Sequence, residues 1–420
     1  MKRLNMEFDE FCREHQKIWN TYLKSVYDAT KGVVGPTGGK LLFPNMVMYT
    51  ETEEHYIAEL FGCALRFEGL TKRIHKEDST IRYFYQFVEN SNNPLLKIEG
   101  RMNIIGLTLS REIDNERVKR RFGFDPLAIH PTRLVKRGDG GAILSFGHSF
   151  QSCLFNDCLI VNIYEQIYRM KDILCANVVS KSLSLRDFVA EQREYCRWPV
   201  DRTDDLFGIH VSQNSTVEFY KLSGQFVNLF LVPGVAEPNI GKFLHNNPAI
   251  LKKALNCSKL LYEKPFKWLE GTSDSFEDHI QPDFMLMSCA TNYWDICDIK
   301  RPLLGKKSVI KGEHSRRRFI DSVNEGIAQL SNYEQYFSFQ KNADHAKQKY
   351  GVEVKSPRLI LIIGNYENAD IQEIQEASRS MKDNYAIIDY DSLNAAYLAK
   401  AKLSLSNIKL DSFSGGRLKS

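Results

Sequence analysis

Two apolar runs facing each other across a three-residue turn constrain this chain more than any other feature. The first runs from Asp283 to Cys289 and the second from Tyr293 to Lys300, with Ala290-Thr291-Asn292 between them. Their length and composition predict a β-hairpin. Hairpin pairing sets the start of the first strand beside the end of the second, so Asp283, which follows Pro282, is brought toward Asp298. Side chains alternate across a strand, so Asp298 and Lys300 project from the same face. Two carboxylates converging on one point with a lysine beside them suit a hard divalent cation and an anionic substrate. An acid-x-lysine triplet alone is more often a solvated face. Here its strand is mostly apolar, through Trp294, Ile296 and Cys297, and Arg301-Pro302 ends it immediately after Lys300. A buried strand that closes on charges at its tip usually does so for a reason.

A second signal lies downstream. Residues from about 316 to 350 read as one long helix, with Phe319, Val323, Ile327, Leu330 and Phe337 at helical spacing. Gln329 and Tyr333 share one face of it, a pair equally common at a core edge. Between strand and helix, Lys300, Arg301, Lys306, Lys307, Lys311, His314, Arg316, Arg317 and Arg318 face one acid, Glu313. This run reads equally as a solvated loop and as an arm that holds phosphates beside the carboxylates.

Together, Pro282-Asp283, Asp298-Ile299-Lys300 and Gln329-x-x-x-Tyr333 resemble the PD-(D/E)xK nucleases of the RecB-like branch. Glu237-Pro238-Asn239-Ile240-Gly241-Lys242-Phe243-Leu244, followed by Asn247-Pro248-Ala249-Ile250-Leu251, resembles the opening helix of the Shedu anti-phage nuclease family. The similarity covers roughly residues 233–390, with Asp298 standing where glutamate is the commoner form. The resemblance implies an α-β-β-β-α-β core whose mixed sheet is flanked by helices. It implies a DNA endonuclease that uses Mg2+, with Mn2+ able to replace it, and acts in anti-phage defence. Asp283, Asp298 and Glu237 would hold the metal with the Ile299 carbonyl, and Lys300 would act on the attacking water. Gln329 would orient the lysine or contact a phosphate, and Tyr333 would support the helix. Glu237 is preferred to Glu263, Glu270 and Glu277 only for its place at the start of the matching helix. DNA phosphates would meet Arg301, Lys306, Lys307, Lys311, Arg316 and Arg317. The family also implies a homo-oligomer, a tetramer, whose N-terminal domain discriminates substrates such as free DNA ends. Two rival readings stand beside it: a catalytically inactive nuclease-fold scaffold that binds DNA, and an RNase or transposon-linked end-processing nuclease.

The order of elements read from the residues agrees with that core. Glu237 to Lys259 reads as a helix, with Pro238 tolerated in its first turn, and Leu260 to Leu269 as a strand interrupted by Pro265. Pro357 to Gly364 is a continuous apolar run of the kind buried on both faces of a parallel sheet. A helix at 369–381, a strand at 385–390 and a helix from Asp391 follow, and the tail from Ser412 reads as frayed. Nearer the N-terminus, residues 6–28 read as an amphipathic helix. The glycines from Gly32 to Gly39 have the wrong spacing for a phosphate loop and read as a breaker. Residues 80–112 and 131–150 read as β-rich, with a hairpin turn at Arg137-Gly138-Asp139-Gly140-Gly141. Residues 156–198 read as helical and 207–232 as short strands. His148 and His210 lack partners at metal or catalytic spacing and read as structural, and the basic cluster from Arg117 to Arg121 reads as either a DNA contact or a solvated surface.

The predicted class is therefore α/β, or α+β overall. An N-terminal mixed α+β regulatory or DNA-sensing domain (1–232) precedes the nuclease-like core (233–411) and a flexible tail (412–420). Hydrophobic residues at 43% and charged residues at 26% are ordinary globular values. No apolar window is long enough to span a bilayer, and the first residues lack an apolar signal region. The nine cysteines have no metal spacing and read as reduced thiols of a cytoplasmic protein.

Overall fold

The computed structural model describes residues 6–34, 39–77, 80, 104–105, 144–145, 150–164, 167–197, 210–212, 215–232, 234–271, 278–313 and 316–406. Among them the chain is a mixed α+β protein built on two five-stranded sheets. The first sheet follows a long helix, α1 (Phe8–Thr30), whose buried Phe11, His15, Trp19, Tyr22, Leu23 and Val26 form one apolar stripe. Lys31 ends it in the left-handed region at φ 52°. The strands are β1 (Met46–Glu51), β2 (His55–Phe61), β3 (Thr71–Lys76), β4 (Ser152–Tyr164) and β5 (Ile167–Ser180), in the order β3-β1-β2-β5-β4. β3 runs parallel to β1 and the other pairings are antiparallel. A second helix, α2 (Leu185–Tyr195), joins α1 on the outer face. There His15 bonds Tyr49 and Asn177, both at 3.0 Å, and complete burial pushes its pKa down to about 3. It is a neutral core residue.

The inner face of this sheet carries α3 (Ser215–Phe230), and beyond α3 lies the second sheet. Its elements are α4 (Glu237–Asn246), α5 (Ala249–Leu255), β6 (Cys257–Tyr262), β7 (Phe284–Ser288), β8 (Trp294–Ile299), α6 (Asp321–Ser338), α7 (Gln340–Tyr350), β9 (Leu359–Ile362), α8 (Ile371–Ala377), β10 (Tyr385–Ile388) and α9 (Tyr390–Ser406). The strands lie in the order β6-β7-β8-β9-β10, antiparallel as far as β8 and parallel from there. Helix, three antiparallel strands, helix, parallel strand is the order expected from the sequence. Phe226 and Phe230 of α3 belong to one buried cluster with Ile57 and Val178 of the first sheet and Ile299 and Ile362 of the second. Each such side chain, fully buried, stabilises the fold by roughly 1.5–3 kcal/mol. α3 therefore packs between the two sheets in one buried cluster.

Several expectations need correction. The described residues of 156–198 form the paired strands β4 and β5 and the helix α2, not one helical stretch. β5 lies between β2 and β4, and its run from Ile173 to Val179 is buried on both faces, which erases the alternation that marks a half-exposed strand. Of the segment 207–232, His210–Ser212 is a short strand paired with Lys40–Leu42, as expected, whereas Ser215–Phe230 is α3 and not strand. Phe219, Leu222, Phe226 and Phe230 keep helical spacing, and burial outweighs the cost of Gly224, about 1 kcal/mol relative to alanine. The helix from Glu237 breaks at Asn247-Pro248, because a proline disfavours the helical region for the residue before it. Asn256 at φ 56° then ends α5, so β6 begins earlier than expected, and Phe266–Lys267 pairs separately with His279–Ile280. The long helix breaks at Phe339, which is extended at φ −90°, ψ 127°. The helix expected at 369–381 is α8 and a short 3-10 turn to Ser380. Most of the β-rich stretches at 80–112 and 131–150, with the turn at 137–141, the Arg117–Arg121 cluster, His148 and the tail from Ser412, lies outside the described residues. Within those stretches Ile104–Ile105 pairs antiparallel with Leu144–Ser145.

Candidate active site

The β7–β8 hairpin delivers the first carboxylates. Its register sets Phe284 opposite Cys297, so the next step along each strand brings Asp283 to Asp298. Beyond the ladder, the Ile299 N–H donates to Asp283 Oδ2 at 2.8 Å, a side chain taking the place of a backbone rung. On β8, Trp294 and Ile296 face the core beneath α6, and alternation directs Asp298 and Lys300 the same way. Lys300 is fixed at both backbone atoms: its N–H donates to the Ile362 carbonyl at 2.8 Å, and its carbonyl accepts from the Tyr390 hydroxyl at 2.6 Å.

The lysine side chain is held just as firmly. Its Nζ lies 2.6 Å from Asp298 Oδ2 and donates to Gln329 Oε1 at 2.8 Å. Gln329 Nε2 donates to the Tyr333 hydroxyl at 2.5 Å, which donates onward to the Gln281 carbonyl at 3.2 Å. This directed chain turns the amide oxygen of Gln329 toward the ammonium. Gly326, one turn earlier on α6, permits the approach, since a Cβ there would stand 2.7 Å from Leu361 Cδ1 on β9. Gln329 thus meets the triplet directly, and Tyr333 meets it through Gln329.

The electrostatics are those of charges taken out of water. Burial raises the Asp283 carboxyl well above the ordinary range, and the neighbouring Asp298 charge raises it further. Burial also raises Asp298, opposed by Lys300. Burial alone would lower Lys300, but the charges of Asp298, Glu237 and Asp283 outweigh it and keep the amine protonated. Two buried carboxylates a proton apart cannot both ionise without a counter-charge. Asp298 is 1% exposed, and its Oδ2, although 2.6 Å from Lys300 Nζ, makes no well-directed hydrogen bond among the described residues. An oxygen-donor pair with an under-satisfied buried atom fits a hard divalent cation.

Glu237, in the first turn of α4, is partly buried and its charge acts on Lys300 and Tyr390. Among the described residues no three acidic, histidine or cysteine side chains gather as a metal cluster, and the two carboxylates that meet are Asp283 and Asp298. Of the other glutamates, Glu263 donates its N–H to the Asp283 carbonyl at 3.0 Å and bonds the Tyr262 hydroxyl. Glu270 accepts from the N–H of Lys341 at the start of α7, and Glu277 lies outside the described residues. In the basic run, Arg301, Lys306, Lys307 and Arg316 are exposed. Lys311 pairs with Asp321 at 2.6 Å, and Arg317 bridges Glu373 and Glu376 of α8. His314 lies outside the described residues.

Sequence reading missed Tyr390. It is fully buried, with its ring centroid 5.5 Å from Phe230 and 6.0 Å from Phe226, and burial pushes its hydroxyl far above the ordinary tyrosine value. Its only local signal is its place after a strand, and what it touches is set by the parallel return of β10. The described cysteines are all free, and no described helix is long and apolar enough to cross a membrane. No curated protein matches the chain. The segment that builds this site, residues 234–394, matches the family described as Shedu protein SduA, C-terminal.

Proposed function

We propose that this protein is a metal-dependent deoxyribonuclease of the PD-(D/E)xK type, acting in anti-phage defence as a Shedu nuclease. The observation that carries the reading is the buried Asp283–Asp298 pair with Lys300 clamped between Asp298 and Gln329. Asp283, Asp298 and the Ile299 carbonyl would hold Mg2+ or Mn2+, with Glu237 reaching it directly or through water. The bound cation supplies charge neutralisation at the phosphate and a lowered pKa for water. Lys300, protonated and immobile, donates a hydrogen bond that orients the attacking oxygen in line with the scissile bond. Its charge also opposes the negative charge that builds on the phosphate. Gln329 holds the ammonium in that direction, and Tyr333 fixes Gln329. The exposed Arg301, Lys306, Lys307 and Arg316 contact the DNA backbone, and the expected products carry a 5′-phosphate and a 3′-hydroxyl. A homo-oligomer, by the same resemblance, would restrain the activity inside the cell.

The test is incubation of the purified protein with linear duplex DNA, closed-circular DNA and RNA, each with Mg2+ and with EDTA. Cleavage of DNA that EDTA abolishes supports the proposal. No cleavage of any substrate would leave a nuclease-fold scaffold, and cleavage of RNA alone would make the protein a ribonuclease.

A further inference from the structure

A cleft of about 1190 Å3 opens between α1, the turn joining β2 to β3, and one face of α4. It lies apart from the Asp283–Asp298 pair, and none of the site residues lines it. Three kinds of group meet there. Met46, Leu229 and Phe243 form an apolar floor, buried to 4%, 3% and 2% exposure. Polar side chains surround the floor, among them Thr21, Ser25, Asn45 and Asn246. Lys24, Arg66 and Lys242 supply positive charge against one lining acid, Glu68, with Lys24 also paired to Asp28 at 2.9 Å.

The two sides of α4 divide the cleft from the site. Asn239 lies three and four residues before Lys242 and Phe243, which lie four and three before Asn246, so the four share one helical face, and all of them line the cleft. Gly241 is about 200° around the helix from Asn239. It lies against the site side, where a Cβ would stand 2.9 Å from the Tyr262 hydroxyl and 3.4 Å from Ile299 Cδ1. Glu237 is one turn before Gly241, and its charge acts on Lys300. A ten-residue helix thus carries cleft residues on one face and site residues on the other.

We infer that this cleft is an effector site for a small phosphate-bearing nucleotide, whose binding is read out at the aspartate pair through α4. The apolar floor suits the face of a base, the amides and hydroxyls suit base edges and ribose, and the cations suit phosphate. The Lys242–Glu68 bridge spans the mouth at 3.8 Å between side chains 57% and 74% exposed. Such a pair contributes little, so a phosphate can take Lys242 from Glu68 at small cost. The Arg73 guanidinium donates to Asn239 Oδ1 at 3.1 Å and ties α4 to β3. The binding does not depend on the nuclease reading, whereas its effect on DNA cleavage does.

The test is calorimetric titration of the full-length protein with AMP, ATP and inorganic phosphate, repeated on Lys242→Glu and Arg66→Glu, one variant on each wall. Melting curves confirm that the variants fold. The inference expects nucleotide binding with Kd no weaker than about 100 µM and at least tenfold loss in each variant. Hydrogen exchange should slow in α4 and at residues 299–301 when nucleotide is bound. That readout needs no cleavage, so it stays informative even if the protein cuts nothing. Absence of nucleotide binding, binding unchanged in both variants, or phosphate binding as tightly as AMP would overturn the site. Binding without any change in exchange at 299–301 would overturn the coupling through α4.

Discussion

Tyr390 donates its hydroxyl to the backbone carbonyl of Lys300 at 2.6 Å. The residue that opens the last helix therefore holds the lysine of the Asp-x-Lys triplet from behind, while its ring packs on Phe226 and Phe230 of α3. One side chain joins the helix between the sheets to the tip of β8.

Tyr390→Phe keeps that packing and removes one buried hydrogen bond, worth about 1 kcal/mol. The expected result is a fall in kcat of roughly fivefold with KM nearly unchanged. A larger KM effect with kcat intact would show that Tyr390 supports the fold and not the lysine. Steady-state kinetics on one duplex substrate separates the two.

The shared core predicts a single unfolding transition. Phe230→Ala should destabilise the protein by about 3–5 kcal/mol and lower the melting of both sheets together, followed by calorimetry and by tryptophan fluorescence. Trp19 lies in the outer core of the first sheet and Trp294 beneath α6 of the second. Two separate transitions, with only one moved by the substitution, would mean that the sheets unfold independently.

The raised Asp283 carboxyl makes the pH dependence specific. The folded, metal-free protein holds a proton that the unfolded chain releases once pH passes the ordinary value of 3.8. The folded state then binds more protons than the unfolded one, so this group's stabilising contribution declines as pH rises from 3.8 to its raised value of about 8. A divalent cation must displace that proton, so its binding tightens and stabilises more as pH increases. Melting temperatures at pH 5.5 and about pH 8, with and without Mg2+, check this. A stabilisation by Mg2+ that is equal at both would contradict it.

Within the basic run, charge reversal at Lys306 and Lys307 should weaken DNA binding across all sequences and reduce the salt slope by about 1 for each phosphate no longer neutralised. Arg317→Ala should instead lower thermal stability, because it removes the pairs to Glu373 and Glu376. Binding isotherms at several salt concentrations decide it. An unchanged slope in the Lys306 and Lys307 variant would make this loop merely solvated.

The carboxylate pair was legible in the sequence because everything that makes it is local. A short turn sets the register, alternation aligns Asp298 with Lys300, and helical spacing aligns Gln329 with Tyr333. The helix break at Phe339 was not legible, since that ring packs against a residue distant in sequence, Gly271, where a Cβ would stand 2.4 Å from it. α3 and β5 were misread because each is buried on more than one side, which removes the polar face that gives a period its contrast. Tyr390 and the two-faced role of α4 depend on how the sheets are stacked, and no spacing along the chain encodes that.

The most direct measurement of the proposed chemistry pairs Mn2+ binding with DNA cleavage in the wild type, Lys300→Ala and Asp298→Ala. Lys300→Ala should still fold and bind Mn2+ and DNA, while its cleavage falls by about 100-fold or more. Asp298→Ala should lose both cleavage and tight Mn2+ binding. Near-wild-type turnover in Lys300→Ala, or undiminished Mn2+ affinity in Asp298→Ala, would contradict the assignment of Asp283, Asp298 and Lys300 as a metal-dependent hydrolytic site.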